Sequence, residues 1–231
     1  MTDGARGDTR TRLLSAAEQL FAERGVEAVS LREITRVAGA RNVIAVQYHF
    51  EDRAGVLEAI LDKHLPDVDA RRHALLDEVE AGEPTPRALA GALVRPLAAK
   101  LADPDGGPAF LQIYAELLNR PTPQVTSADG RFRSLQRWRL AVEPLLDPQA
   151  RRLHRRFTAI VYTAVELGRR ARSAPHTDDR LFTSYLVDVV AAILTAPVSV
   201  ETARLADERD AVRGAPAAES PAGGGRVQES M

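Results

Sequence analysis

The apolar positions fall at helical spacing almost from the start of the chain. Leu13, Ala16, Ala17, Leu20 and Phe21 lie at i, i+3, i+4, i+7 and i+8, which predicts a helix over 9–24. Thr9 or Asp8 is the expected cap, and Gly25 the residue that ends it in the left-handed region. Ser30 with Glu33 has the spacing of a capping box, and Val29 with Ile34 that of a hydrophobic staple, so a second helix is expected from 30. Ile34, Val37 and Ala38 would form its buried face, and Ala38-Gly39 its tight end. A short third helix over 42–49 would be held by Val43 with Val46 or Ile44, leaving Arg41, Asn42, Ala45, Gln47, Tyr48 and His49 outward. Asp52 is the expected cap of a fourth helix, 53–65, which buries Leu57, Ile60 and Leu61 and is interrupted or kinked by Pro66.

The same period continues to 196. Helices are expected over 68–81, 87–102, 109–119, 131–146, 149–172 and 178–196, with a polar loop over 120–130 and a tail from 211 whose composition is that of a disordered end. No segment of any length has strand period, so the fold class is all-α. Two apolar stripes are broader than one core face needs. One runs Leu153, Phe157, Ile160, Val161, Ala164, Val165 and Gly168; the other runs Leu181, Phe182, Tyr185, Leu186, Val189, Val190, Ile193 and Leu194. Two such helices from each of two chains would make a four-helix interface, so a homodimer is expected.

Three short helices in this order build a helix-turn-helix, which offers one helix to a DNA major groove. The ordered set Ala16-Ala17, Leu20-Phe21, Gly25, Ser30-Leu-Arg-Glu-Ile, Ala38-Gly39, Tyr48-His49-Phe50, Asp52-Arg53 and Leu57 resembles the TetR family of transcriptional regulators. The stretch between Ala38-Gly39 and Phe50 is one residue longer than the commonest pattern of that family, and Gln47 stands where tyrosine is usual. What the resemblance implies is an N-terminal helix-turn-helix followed by a larger helical domain for ligand binding and dimerisation. Arg32 would then reach the groove edge, Ala45 and Gln47 would face bases or nearby phosphates, and Tyr48, His49 and Arg53 would hold phosphates; Arg41 and Asn42 join the DNA-facing set through their place on the outer face of the third helix. Arg10 and Arg12 would add contacts from an N-terminal arm. Arginine and helix N-termini suit phosphate oxygens, and Gln or Asn can pair bidentately with adenine. The expected partners are a double-stranded DNA operator, a small-molecule effector and a second copy of the chain. The expected function is a ligand-responsive repressor on a palindromic operator. The alternative is a helical interaction protein, or a ligand-independent regulator, with reduced or absent DNA binding.

Composition adds little in favour of DNA and much against other classes. The net charge is −1, and residues 1–53 hold eight Arg against eight Asp or Glu, so binding must rest on local placement. No acid falls between Glu33 and Glu51, which keeps phosphate repulsion low there. There are no cysteines, which excludes disulfides, thiol nucleophiles and thiolate metal sites. The five His are dispersed without metal-ligand spacing, and no catalytic or phosphate-loop motif occurs, so neither a cofactor nor an enzyme is expected. The polar N-terminus and the lack of a long apolar run predict a cytoplasmic protein with no membrane partner. The expected organisation is an arm over 1–8, the DNA-binding domain over 9–53, the regulatory and dimerisation domain over 54–210 and the tail over 211–231. Ligand contacts are expected from Phe110, Tyr114, Trp138, His154, Phe157 and Tyr162. Residues 131–172 carry eleven Arg against Glu143, Asp147 and Glu166, a solvated face or a surface for an anion.

Overall fold

Local caps and left-handed glycines set the N-terminal helices. The computed structural model describes residues 3–40, 44–120, 133–173 and 176–214, and every regular element among them is helical. In order these are α1 (Asp3–Arg24), α2 (Leu31–Val37), α3 (Ile44–Phe50), α4 (Arg53–Ala81), α5 (Pro86–Ala98), α6 (Gly107–Leu118), α7 (Arg133–Val142), α8 (Pro148–Arg152), α9 (Arg155–Arg172), α10 (Arg180–Thr195) and α11 (Val200–Gly214). They fall into two compact units, Met1–Ala196 and Pro197–Met231.

In the first unit α1, α2 and α3 pack on one another and on the start of α4. Gly25 and Gly39 sit at φ 84° and 64°, where a side chain would be strained, and each closes the helix before it. Leu13, Ala17, Phe21, Val26, Val29 and Ile34 are buried together with Phe50, Val56 and Ile60. Behind this corner α6 packs against α1 on one side and α9 on the other, while α5 lies between α4 and α10. The largest buried side chains there are Trp138, Phe110, Leu89, Leu93 and Leu111. In the second unit, Ser199 starts α11: its hydroxyl accepts the Thr202 N–H at 3.2 Å.

Several boundaries differ from the sequence expectation. Helix α1 begins at Asp3, so Asp8 and Thr9 lie inside it rather than capping it. Val37 is 44% exposed, and the buried face of α2 uses Thr35 instead, whose hydroxyl donates to the Leu31 carbonyl at 2.8 Å. Helix α3 runs to Phe50, not His49. Pro66 does not end the fourth helix, which continues to Ala81. An internal proline costs about 3 kcal/mol, but Pro66 is on the exposed side. Burial of His64, Leu65, Val68, Arg72 and Leu76 on the opposite side holds the helix through it. The single helix expected over 149–172 is two, α8 and α9, separated by Leu153 and by His154 in the left-handed region at φ 55°. Glu143 holds this corner by pairing with Arg151 on one side and Arg156 on the other. Helix α11 was not foreseen, and it takes residues 211–214 out of the expected tail.

Candidate nucleic-acid interface

The corner formed by α2, α3 and the start of α4 is fixed by side-chain bonds at every helix N-terminus whose cap is described. Ser30 accepts the Glu33 N–H at 3.3 Å, and Glu33 returns a bond to the Ser30 N–H at 2.9 Å. Glu33 also pairs with Arg24 at 2.7 Å. The Ser30 backbone donor, followed by Arg24, holds the Glu33 carboxyl down at about 2, well below the usual carboxylate range. Asp52 accepts the Gly55 N–H at 2.9 Å and starts α4. With these termini pinned, α3 is presented rather than left to fray.

Phe50 is the anchor of α3, 5% exposed, with the Arg10 guanidinium 5.2 Å above its ring. Arg10 and Arg12 are therefore helical residues of α1, not part of an arm, and Arg12 donates to Thr9 Oγ1 at 3.4 Å. Gln47 and Tyr48 are exposed, Tyr48 at 69%, and His49 is half-buried with its ring edge-on to Tyr48 at 5.2 Å. Arg32 and Arg36 are exposed on α2. Arg41 and Asn42 lie outside the described residues, as does the side chain of Ala45.

Arg53 is placed differently from its expectation as a simple phosphate ligand. Its Nη1 pairs with Glu27 at 2.7 Å, its Nη2 donates to the Val29 carbonyl at 2.9 Å, and its Nε is buried without a partner. It braces the turn between α1 and α2. Glu27 is in turn shared with Arg120 at 3.0 Å, and Arg120 also binds Glu116 of α6 at 3.2 Å. Both Glu116 oxygens accept the Val26 N–H at 3.2 Å. A second junction lies further along α1. Glu18, 2% exposed, bonds His64 Nε2 at 2.9 Å and Lys63 at 3.0 Å, and Lys63 reaches Asp105 at 2.8 Å. Sequence reasoning missed both junctions. The available signal was Glu18 itself, a carboxylate on the apolar face between Leu14 and Phe21.

The six residues expected to contact a ligand are not brought to one place. Phe110, Tyr114 and Trp138 are buried, and the Trp138 indole N–H is satisfied by the Leu89 carbonyl at 2.7 Å. Phe110 and Tyr114 are 5.5 Å apart on α6. His154 and Phe157 are exposed, the latter at 45%, and Tyr162 is half-buried. Phe157 lies on the outer face of α9, His154 just before that helix, and Tyr162 packs against the core; an apolar stripe along a helix does not reveal which neighbour covers it. One open groove of about 470 Å³ lies between α6 and α9, lined by Gln112, Glu116, Asn119, Gly168, Arg169 and Arg172. Among the described residues no group of His, Cys, Asp and Glu could hold a metal, and no single helix is long and apolar enough to cross a membrane.

Known proteins share this corner. Residues 13–60 match the model of the family described as bacterial regulatory proteins, tetR family. A stretch of 62 residues is 39% identical to the HTH-type transcriptional repressor BepR of Brucella suis biovar 1 (strain 1330). That stretch is 27% of this chain and 29% of BepR, so less than a third of the relative's length is spanned. Over a wider span the fold is similar to that of AmtR from Mycobacterium smegmatis, with a TM-score of 0.52 at 18% identity, covering 86% of this chain and 92% of that one. A putative TetR-family transcriptional regulator from Rhodococcus sp. covers 81% of this chain and 99% of its own at 23% identity, with a TM-score of 0.43. The N-terminal segment, residues 13–60, thus matches the DNA-binding segment of the tetR family of bacterial regulatory proteins.

Proposed function

We propose that the chain is a DNA-binding transcriptional repressor that acts as a homodimer on a palindromic operator and releases it when a small molecule binds the helical domain behind α3. The observation that carries this reading is the presented face of α3. Gln47 and Tyr48 are exposed on a helix anchored by Phe50, beside exposed Arg32 and Arg36, and no carboxylate lies between Glu33 and Glu51. Residues 9–53 would be the DNA-binding domain. Arg32 and Tyr48 would meet phosphates and Gln47 a base edge.

The outward faces of α9 and α10 support the dimer. Leu181 is 82% exposed, Tyr185 64% and Phe157 45%, an apolar surface with no cover in a single copy. A two-fold contact there would set two α3 helices on one face of a duplex, about 34–36 Å apart or somewhat more. Effector binding would alter that separation through α4, the helix that runs from Arg53 into the regulatory region. Such coupling is typically ~1–3 kcal/mol and reciprocal.

Selection from a random duplex pool, followed by affinity against salt on the enriched site, tests the reading. The expected result is a palindromic site and a salt slope worth several phosphates. The Glu27–Arg53 pair favours the other reading, an interaction protein with weakened DNA binding, and a folded dimer that enriches no duplex would establish it.

A further inference from the structure

Of the 31 basic residues only Lys63 and Lys100 are lysines. Each ammonium bridges two carboxylates from different parts of the fold. Lys63 of α4 lies 3.0 Å from Glu18 of α1 and 2.8 Å from Asp105 in the turn before α6. Lys100, buried just ahead of that turn, lies 3.0 Å from both Asp67 of α4 and Asp103. An ammonium is a point charge with three rotatable donors, so it serves acids that converge from unrelated directions; the planar fork of an arginine suits a single carboxylate. The two lysines thus clamp the start of α6 onto α4, and one of them also takes hold of α1.

Glu18 is the member of this cluster that belongs to α1, the helix on which α2 and α3 pack. It is 2% exposed, and its carboxylate meets three elements at once. One oxygen bonds His64 Nε2 of α4 at 2.9 Å, and the His64 ring is stacked on Phe110 of α6 at 4.7 Å. The other takes the Lys63 ammonium and lies against Gly106, at φ 83° the residue before α6, where a Cβ would collide with it. The start of a helix carries partial positive charge, so an acid suits this place. Further along, α1 meets α6 again: the Val26 N–H, just past the end of α1, donates to the Glu116 carboxylate near the end of α6 at 3.2 Å. Helix α1 therefore lies along α6 in the same direction and is attached near both ends.

We propose that Glu18 is a positioning residue: its bonds to α4 set the angle of α1, and of the α3 that α1 carries, against α4 and α6, and so fix the half-site spacing that the dimer reads. This rests on the DNA-binding, dimeric reading above. Apolar contacts are non-directional, so the orientation of α1 on α6 depends on its two directional attachments. With Glu18 removed, the Val26 attachment remains and α1 can turn about it. A buried ionic cluster is a costly way to gain stability, because desolvation offsets much of the attraction, but it admits only one arrangement of the elements it joins.

The test takes the enriched operator and moves its half-sites apart or together in single base-pair steps, each of which shifts a half-site by about 3.4 Å and about a tenth of a turn. Full-length wild type, Glu18→Leu, Lys63→Met and the double variant are compared. Wild type should prefer one spacing by at least about tenfold over its neighbours. In either single variant that preference should fall to about threefold or less, or move by a base pair, while affinity for one isolated half-site and the dimer constant stay within about twofold. The double variant should be no looser than the singles, because both cut the same node. Glu18→Leu takes a buried acid from two basic partners and can impair folding; Lys63→Met severs the node at a half-buried side chain, and circular dichroism with sedimentation identifies the folded dimers to be measured. A folded dimer of either variant that keeps the wild-type spacing preference overturns the proposal. So does a loss shared equally by every spacing and by the isolated half-site, which would make Glu18 structural only. If wild type itself enriches no duplex, or binds every spacing alike, the dimeric DNA-binding reading fails and the positioning role fails with it.

Discussion

The α3 corner and the α9–α10 face both leave large side chains in water, and they do so with opposite chemistry. At the corner the exposed groups are Arg32, Gln47 and Tyr48, each ending in a hydrogen-bonding atom. On α9 and α10 they are Phe157, Leu181 and Tyr185, of which only the tyrosine carries a polar atom. A partner for the first surface must be polar and wet, as a duplex is; a partner for the second must be apolar, as a second copy is. The supports differ too. At the corner, caps and ion pairs at helix ends add to the buried core, whereas α9 and α10 are held chiefly by the burial of Ile160, Ala164, Leu167, Leu186, Val190 and Leu194. Substitutions should therefore separate the two surfaces: one set abolishes assembly, the other alters DNA binding in an intact dimer.

The largest effect is expected on the apolar face. Burying a Leu-sized side chain is worth about 1.5–3 kcal/mol, and an acid placed there must also be desolvated. Leu181→Glu with Tyr185→Glu should weaken self-association by at least ~100-fold, given tenfold per 1.4 kcal/mol. Sedimentation should show a folded monomer, with DNA affinity lost alongside. A dimer that survives the pair would move the interface elsewhere and dissolve the contrast.

At the corner the effects are smaller and act on DNA alone. Arg32→Ala should lower the salt slope by about 1 while the dimer persists. Gln47→Ala should change preference at one or two base pairs, by about 1–3 kcal/mol in discrimination. Glu27→Gln should act in the opposite direction, because its carboxylate competes with phosphate for Arg53. Release of Arg53 should tighten binding to all sequences and steepen the slope by about 1. An unchanged slope in Glu27→Gln would leave Arg53 as a brace only.

The corner was legible in the sequence because its determinants are local. A cap, its partner three residues on, and a glycine at a left-handed turn all fall within one or two helical turns. What was not legible depends on distant residues. Pro66 does not break α4 because tertiary burial on the far side of the helix outweighs a lost bond on the solvent side. The corner at His154 depends on Glu143, whose two arginines flank it. Phe157 is expected at a ligand but lies exposed, because periodicity shows that a face is apolar without showing whether core or partner covers it. Arg72 carried the same kind of signal as Glu18: it falls four residues after Val68 and four before Leu76, on the buried face of α4, whereas Arg71 beside it is exposed.

The smallest expected effect lies in the capping box of α2, and it tests whether the corner depends on that local chemistry. Ser30→Ala should destabilise the fold by about 1 kcal/mol, the usual worth of an N-cap. Glu33 supplies the other half and is sensitive to acid. Its carboxyl is held at about 2, against 4.5 for the free group, first by the Ser30 N–H and then by Arg24. A carboxylate with a depressed pKa stabilises the fold fully above the unfolded value and loses that contribution as pH falls toward the folded one. Between about pH 4.5 and 2 the wild type should therefore lose stability that Glu33→Gln does not lose, because the amide can still accept from Ser30 but cannot titrate. Chemical denaturation of the two proteins across that window measures the difference. If the two curves remain parallel, the α2 terminus is held by burial of Val29 and Ile34 instead, and the corner and the α9–α10 face would then rest on the same kind of force.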